Sequence, residues 1–191
     1  MVRDTVNARD TVSARIDTGE AGGEVVGEWI DAPVGERWIT DANVLSLFGA
    51  MNARQIATAD IALENWHDES VRAFAASIAR AHAALQHSAD SVSARIRITP
   101  IAPALTKPWM AVMQAQIDSM RRAREGSLDR AFVHQQIASH ELMLERIQQL
   151  ASASQHPDMR AMLSDAAKRV ASQLDVARSL DSIIAARPAS R

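Results

Sequence analysis

The stretch that decides the fold is Phe132–Leu150, FVHQQIASHELMLERIQQL. Val133, Ile137, His140, Leu144, Ile147 and Leu150 follow one another at steps of three and four. That spacing puts them on one side of an α-helix, with a histidine set into an otherwise apolar stripe. A second stretch repeats the arrangement: Val71, Phe74, Ile78, His82, Leu85, Ala89 and Val92. One-sided helices of this kind bury their stripes against each other, so the chain reads as a helical bundle.

Working outward, Asp41 is a good N-cap for a first helix running to about Trp66, with Val44, Phe48, Met51, Ala59 and Ala62 on its apolar face. Asp68 opens the second helix after a turn so short that the two must be antiparallel neighbours. Pro100, Pro103 and Pro108 then break the periodicity. Trp109–Glu125 is periodic again through Met110, Met113, Ile117 and Met120, and Gly126 with Ser127 marks a fresh start. A single helix from Trp109 to Ser154 would span roughly 65–70 Å, against about 40 Å for its neighbours. The reading is therefore a crossover helix, about 109–125, followed by the third helix. Pro157 introduces the fourth, striped by Met159, Leu163, Ala166, Val170, Leu174, Ala177, Leu180 and Ile184.

The expected organisation is a polar, glycine-rich arm over residues 1–40 and a four-helix bundle over 41–186. The helices fall at about 41–66, 69–95, 127–153 and 158–185. Five of the seven glycines lie in the arm, which also carries the echo RDTVNA, RDTVSA; Trp29 and Trp38 are its candidate anchors. The long connection between the second and third helices favours a ferritin-like crossover.

Composition narrows the function classes. The chain has 191 residues and no cysteine, so disulfide and thiolate chemistry are excluded. Hydrophobic residues make up 47%, enough for a core, but aromatics only 4%, so aliphatic side chains must fill it. A net charge of -2 leaves no electrostatic footprint for nucleic acid. No run approaches the roughly 18 apolar residues of a spanning helix. MVRDTVNARD lacks the apolar centre of a signal peptide.

Three segments in order, NARQIATADIALENWHDESVRAFAASIARAHAAL, GSLDRAFVHQQIASHELMLERIQQLA and PDMRAMLSDAAKRVASQLDVARSL, resemble the bacterial family called domain of unknown function 4142 over about residues 41–185. Its members are often labelled predicted outer membrane proteins. The resemblance implies a ferritin-like bundle, usually exported to the periplasm or cell envelope, and implies no established activity. The family's histidines in the second and third helices land on His82 and His140. Ala81 stands where an acidic residue commonly precedes the first of these, and Gln55 and Ala57 stand where glutamate is frequent. The usual signal peptide is also missing, which keeps a cytoplasmic location open.

Counting from the helix ends places His82 and His140 at mid-height, close together in the core. Both are expected to be buried and mostly neutral, with pKa values below about 6.5. Gln55 completes a candidate polar site with them. A di-metal site of the ferritin-like kind needs carboxylates at that level and a Glu-x-x-His on two helices. Only Glu64–His67 fits that motif, and it lies at the end of the first helix. The expectation is no catalytic residue, no cofactor and no bound metal, with His82 and His140 as the only metal candidates. His87 and His156 read as solvent-facing, His134 as off its stripe, and Arg121, Arg122 and Arg124 as a solvated face. Asp129 and Arg130 read as a local pair or a cap for the third helix. No Ser-His-Asp order, phosphate loop or metalloprotease motif is present.

The expected function is that of a non-catalytic envelope bundle acting through its surface, with envelope or self-association and no defined partner. The alternative is a ferritin-like metal-binding or redox protein using His82 and His140. A cytosolic ligand-binding bundle is a third reading.

Overall fold

The structure, a computed structural model, describes residues 39–103, 114–115, 117–118, 121–122 and 128–186. Residues 1–38 of the expected N-terminal arm, with its tryptophan anchors, Ser127 and most of the crossover helix lie outside these residues. Four helices carry the described fold: α1 (Asp41–Asn65), α2 (Glu69–Ile96), α3 (Leu128–Ala153) and α4 (Pro157–Ala185). The chain is an all-α four-helix bundle.

Each helix start has a local cause. Thr40, not Asp41, is the N-cap of α1: its side chain accepts from the Asn43 N–H while the Asn43 side chain accepts from the Thr40 N–H. This reciprocal capping box satisfies two otherwise orphaned donors. Asp68 caps α2 through the N–H groups of Ser70 and Val71. At α4, His156 Nδ1 accepts from the Asp158 N–H at 3.2 Å, and Pro157 occupies the first turn, where its missing donor costs nothing. His156 is thus a helix cap rather than an idle surface group. α2 ends on Arg97 in the left-handed region (φ 57°), with the Arg97 and Ile98 N–H groups closing onto Ala94 and Ser93 carbonyls.

Contacts at the helix ends fix the chain's course. Arg95 at the end of α2 pairs with Asp158 at the start of α4 (2.8 Å). Asp41 at the start of α1 accepts from Ser154 Oγ (2.8 Å) and the Gln155 N–H (3.0 Å) beyond α3. One end of the bundle therefore holds the starts of α1 and α4 and the ends of α2 and α3. At the other end, Asp129 in the first turn of α3 accepts from the N–H groups of His67 and Asp68, the latter at 2.6 Å. Asp129 clamps the α1–α2 turn rather than pairing with Arg130. It follows that α2 and α3 run parallel, and the connection between them returns the length of the bundle. On its way it buries Ile117 in the apolar cluster that also holds Ile61, Phe74 and Phe132; Arg121 and Arg122 are exposed.

The two antiparallel hairpins, α1–α2 and α3–α4, share one pattern of burial at an offset of 88 residues. Val44, Leu45, Phe48, Met51, Asn52, Gln55, Ala59 and Ala62 are buried in α1, and Phe132, Val133, Gln136, Ser139, His140, Met143, Ile147 and Leu150 are buried in α3. Val71, Phe74, Ala75, Ile78, His82, Ala89 and Val92 in α2 correspond in the same way to Met159, Met162, Leu163, Ala166, Val170, Ala177 and Leu180 in α4. Even the clamps correspond, Asp41 with Asp129, each starting the first helix of its hairpin and holding the turn of the other. Among the described residues no helix is long and apolar enough to cross a membrane.

Candidate functional site

The core is not continuous. One apolar cluster gathers Val44, Phe48, Leu85, Ile147, Met159 and Leu163 toward one end, and a second gathers Ile61, Val71, Phe74, Ile78, Phe132 and Val133 toward the other. Between them lies a layer of buried polar side chains: Asn52, Gln55, Thr58, His82, Gln136, Ser139 and His140. A polar group withdrawn from water needs a partner inside the protein, and these residues supply one another.

His82 and His140 are both fully buried, at 0% exposure. The rings meet edge to face, with centroids 5.4 Å apart, planes at 75° and Nε2 atoms separated by 3.4 Å. His82 Nδ1 lies 2.9 Å from Asn52 Oδ1, and His140 Nδ1 lies 2.8 Å from the Gln136 carbonyl oxygen. The resulting chain of contacts runs from α1 through α2 to α3. Burial holds the pKa of His82 down, and the charge of His140 lowers it further. Burial also lowers His140; the Gln136 carbonyl and the Gln173 amide favour its charged form, while Arg54 opposes it. Arg54 is itself brought down to about 10 by desolvation, and so remains a cation at neutral pH.

Gln55 is buried in the same layer, but its Nε2 donates to Ser139 Oγ (3.1 Å). The amide that meets the histidine pair is Asn52, which sequence reasoning passed over. Its signal was present: Phe48, Asn52, Gln55 and Ala59 step by four, three and four, so Asn52 shares the apolar stripe of α1. Gln136 Nε2 donates to Thr58 Oγ1 (3.2 Å), and the Thr58 hydroxyl turns back on the carbonyl of Gln55. Several atoms of the layer nevertheless lack a completed hydrogen bond: Asn52 Nδ2, Gln136 Oε1 and both amide atoms of Gln173. Gln173 therefore sits beside His140 without bonding it in ordinary geometry.

The remaining histidine read off its stripe, His134, pairs at the surface with Asp181 across α3 and α4 (2.8 Å). Among the described residues no three or more His, Cys, Asp or Glu side chains converge as a metal cage. The arrangement at the centre is thus two neutral imidazoles held by the Asn52 amide and the Gln136 backbone carbonyl, with no carboxylate reaching them in any described contact.

Comparison with known proteins places this geometry in context. The sequence model of a family described as domain of unknown function (DUF4142) matches residues 32–180. No curated protein matches the chain in sequence. Among solved structures, the crystal structure of a DUF305 fragment from Deinococcus radiodurans is similar, with a TM-score of 0.64 and 14% identity, covering 74% of this chain and 94% of that one. A likeness at that identity concerns the fold alone.

Proposed function

The chain belongs to the DUF4142 family, and on that footing we propose that it is a non-catalytic helical-bundle protein of the bacterial periplasm or cell envelope, acting through its surface. The observation that carries this reading is the closure of the polar centre. His82 and His140, the residues best suited to proton transfer, have no exposure to solvent, and a general acid or base must reach its substrate directly or through one water. The described outer face is dominated by small, charged and amide side chains, and exposed large apolar residues are few: Ile101, Val176 and Ile183. The ferritin-like description of the bundle is supported by the parallel course of α2 and α3.

The test is cell fractionation combined with in-cell photocrosslinking from a probe amino acid placed at Val176 or Ile183 on α4. The chain is expected with periplasmic or envelope material, and crosslinked there to itself or to one recurrent partner. Recovery in the cytosol would remove the envelope assignment, and an absence of any specific crosslink would remove the surface role.

A further inference from the structure

The outer contacts of the two core histidines determine where their ring protons sit. The Gln136 carbonyl can only accept, so His140 Nδ1, at 2.8 Å, must donate to it. In neutral His140 the lone pair is therefore on Nε2. Asn52 presents its carbonyl oxygen to His82 Nδ1 at 2.9 Å, which makes that nitrogen a donor too and leaves the His82 lone pair on Nε2. With the Asn52 amide in this orientation the two lone-pair nitrogens face each other across 3.4 Å; the opposite orientation would let His82 Nε2 donate to His140 instead. Two acceptors so placed in a buried core repel, unless a proton or a metal cation occupies the space they share.

That space has the dimensions of a coordination site. Two imidazole nitrogens bound to one tetrahedral ion at about 2.0–2.1 Å are about 3.4 Å apart, and their ring centroids stand about 5.3 Å apart when both rings point at the ion. The observed separations are 3.4 Å and 5.4 Å. A direct N–H···N bond at 3.4 Å would be a long one. A ligating imidazole usually gives its other N–H to a carbonyl or carboxylate, which fixes the tautomer and aims the ring; Asn52 and Gln136 stand in those places. The Gln173 side chain next to His140 has a buried oxygen, Oε1, with no hydrogen-bond partner.

We propose that His82 and His140 form the two-imidazole core of a buried site for one imidazole-preferring first-row transition-metal ion, with Asn52 and the Gln136 backbone as the groups that aim it. This goes beyond the surface role proposed above and does not depend on it. The ligands are neutral and Arg54 is close enough to disfavour charge on His140, so the site suits an ion bound by donor softness and geometry rather than by countercharge.

The experiment has two arms. In the metal-free protein, ¹⁵N-resolved histidine spectra are expected to show both rings protonated at Nδ1. The full chain is then refolded with Co(II), Zn(II) or Cu(I), one ion at a time, because the core is closed to passive entry. At least one of the three is expected to bind at one ion per chain, with affinity reduced at least about 10-fold in both His82→Gln and His140→Gln. Asn52→Asp keeps an acceptor on His82 Nδ1 and adds the missing negative charge, so it is expected to tighten binding. A merely structural role for Asn52 gives no tightening. The proposal is overturned if His82 carries its proton on Nε2 and donates to His140, if none of the three ions binds, or if bound ion is indifferent to both histidine substitutions. Should either histidine variant fail to fold, the Asn52→Asp comparison and the tautomer spectra decide alone.

Discussion

The two helical hairpins are alike in register and unlike in chemistry. At an offset of 88 residues most of their buried sites coincide, Thr58, Ile61, Leu85 and Leu174 being exceptions, and they brace each other with corresponding aspartates, Asp41 and Asp129. At mid-height the likeness stops. His82 of the first hairpin corresponds to Val170 of the second, Asn52 to His140, and Phe48 to Gln136. The shared positions explain the fold, because stripes at the same spacing dock in the same way. The departures mark the polar layer, where buried polar side chains must meet unlike partners rather than repeat one another.

The largest expected effects break the likeness where it is strongest. Phe132→Ala removes a fully buried ring from the second hairpin and should cost about 3–5 kcal/mol. Its counterpart in the first hairpin, Val44→Ala, is equally buried but smaller and should cost about 2 kcal/mol. Urea unfolding of the two variants measures the ratio, and equal losses would show that the hairpins contribute unequally despite their register.

Next in size is pH, which acts only on the layer where the hairpins differ. Both histidines have folded pKa values lowered chiefly by burial. Below the unfolded value of about 6.5 the unfolded chain takes up protons that the folded chain refuses. Their contribution is thus complete above that pH and is lost as pH falls, at up to about 1.4 kcal/mol per pH unit for each histidine in the metal-free protein. Denaturation between pH 7 and 5 should show this slope in the wild type and a flatter one in the His82→Leu/His140→Leu protein. Parallel curves would mean that the folded chain takes up these protons over the same pH range as the unfolded chain.

Smaller effects sharpen the comparison of the clamps. Asp129 accepts from two successive N–H groups, His67 and Asp68, and its removal as Asp129→Ala should cost about 1–2 kcal/mol. Asp41 accepts one N–H and one hydroxyl, and Asp41→Ala should cost about 1 kcal/mol. Thermal melts that reverse this order would show that the hydroxyl donor to Asp41 counts for more here than a second backbone N–H. Smallest of all is Arg95→Ala, which cuts an exposed pair with Asp158 between the hairpins and should change stability by less than about 1 kcal/mol.

The fold class was legible because burial writes itself into spacing: the stripe from Val71 to Val92 names every buried apolar side chain of α2 except Ala75. The heights of His82 and His140 follow from counting residues to the helix ends. Asn52 was harder, because a polar residue in a stripe looks the same in sequence whether it bonds a core histidine or merely interrupts an apolar face. The start of α1 turned on Asn43, which completes a box with Thr40 and so makes Thr40 rather than Asp41 the cap. The clamp formed by Asp129 has no local signature at all, since its partners lie 61 and 62 residues away in the chain. Contacts between hairpins are set by docking, and docking leaves little trace in a short window.

The crossover has a mechanical consequence. With α2 and α3 parallel, the bundle's chain enters at the start of α1 and leaves at the end of α4, at opposite ends of a body roughly 40 Å long. Tension applied through the two ends of such a bundle loads its helices in shear, along their whole packed length, instead of peeling them apart one turn at a time. A bundle loaded in this way resists extension along its full length rather than at one turn.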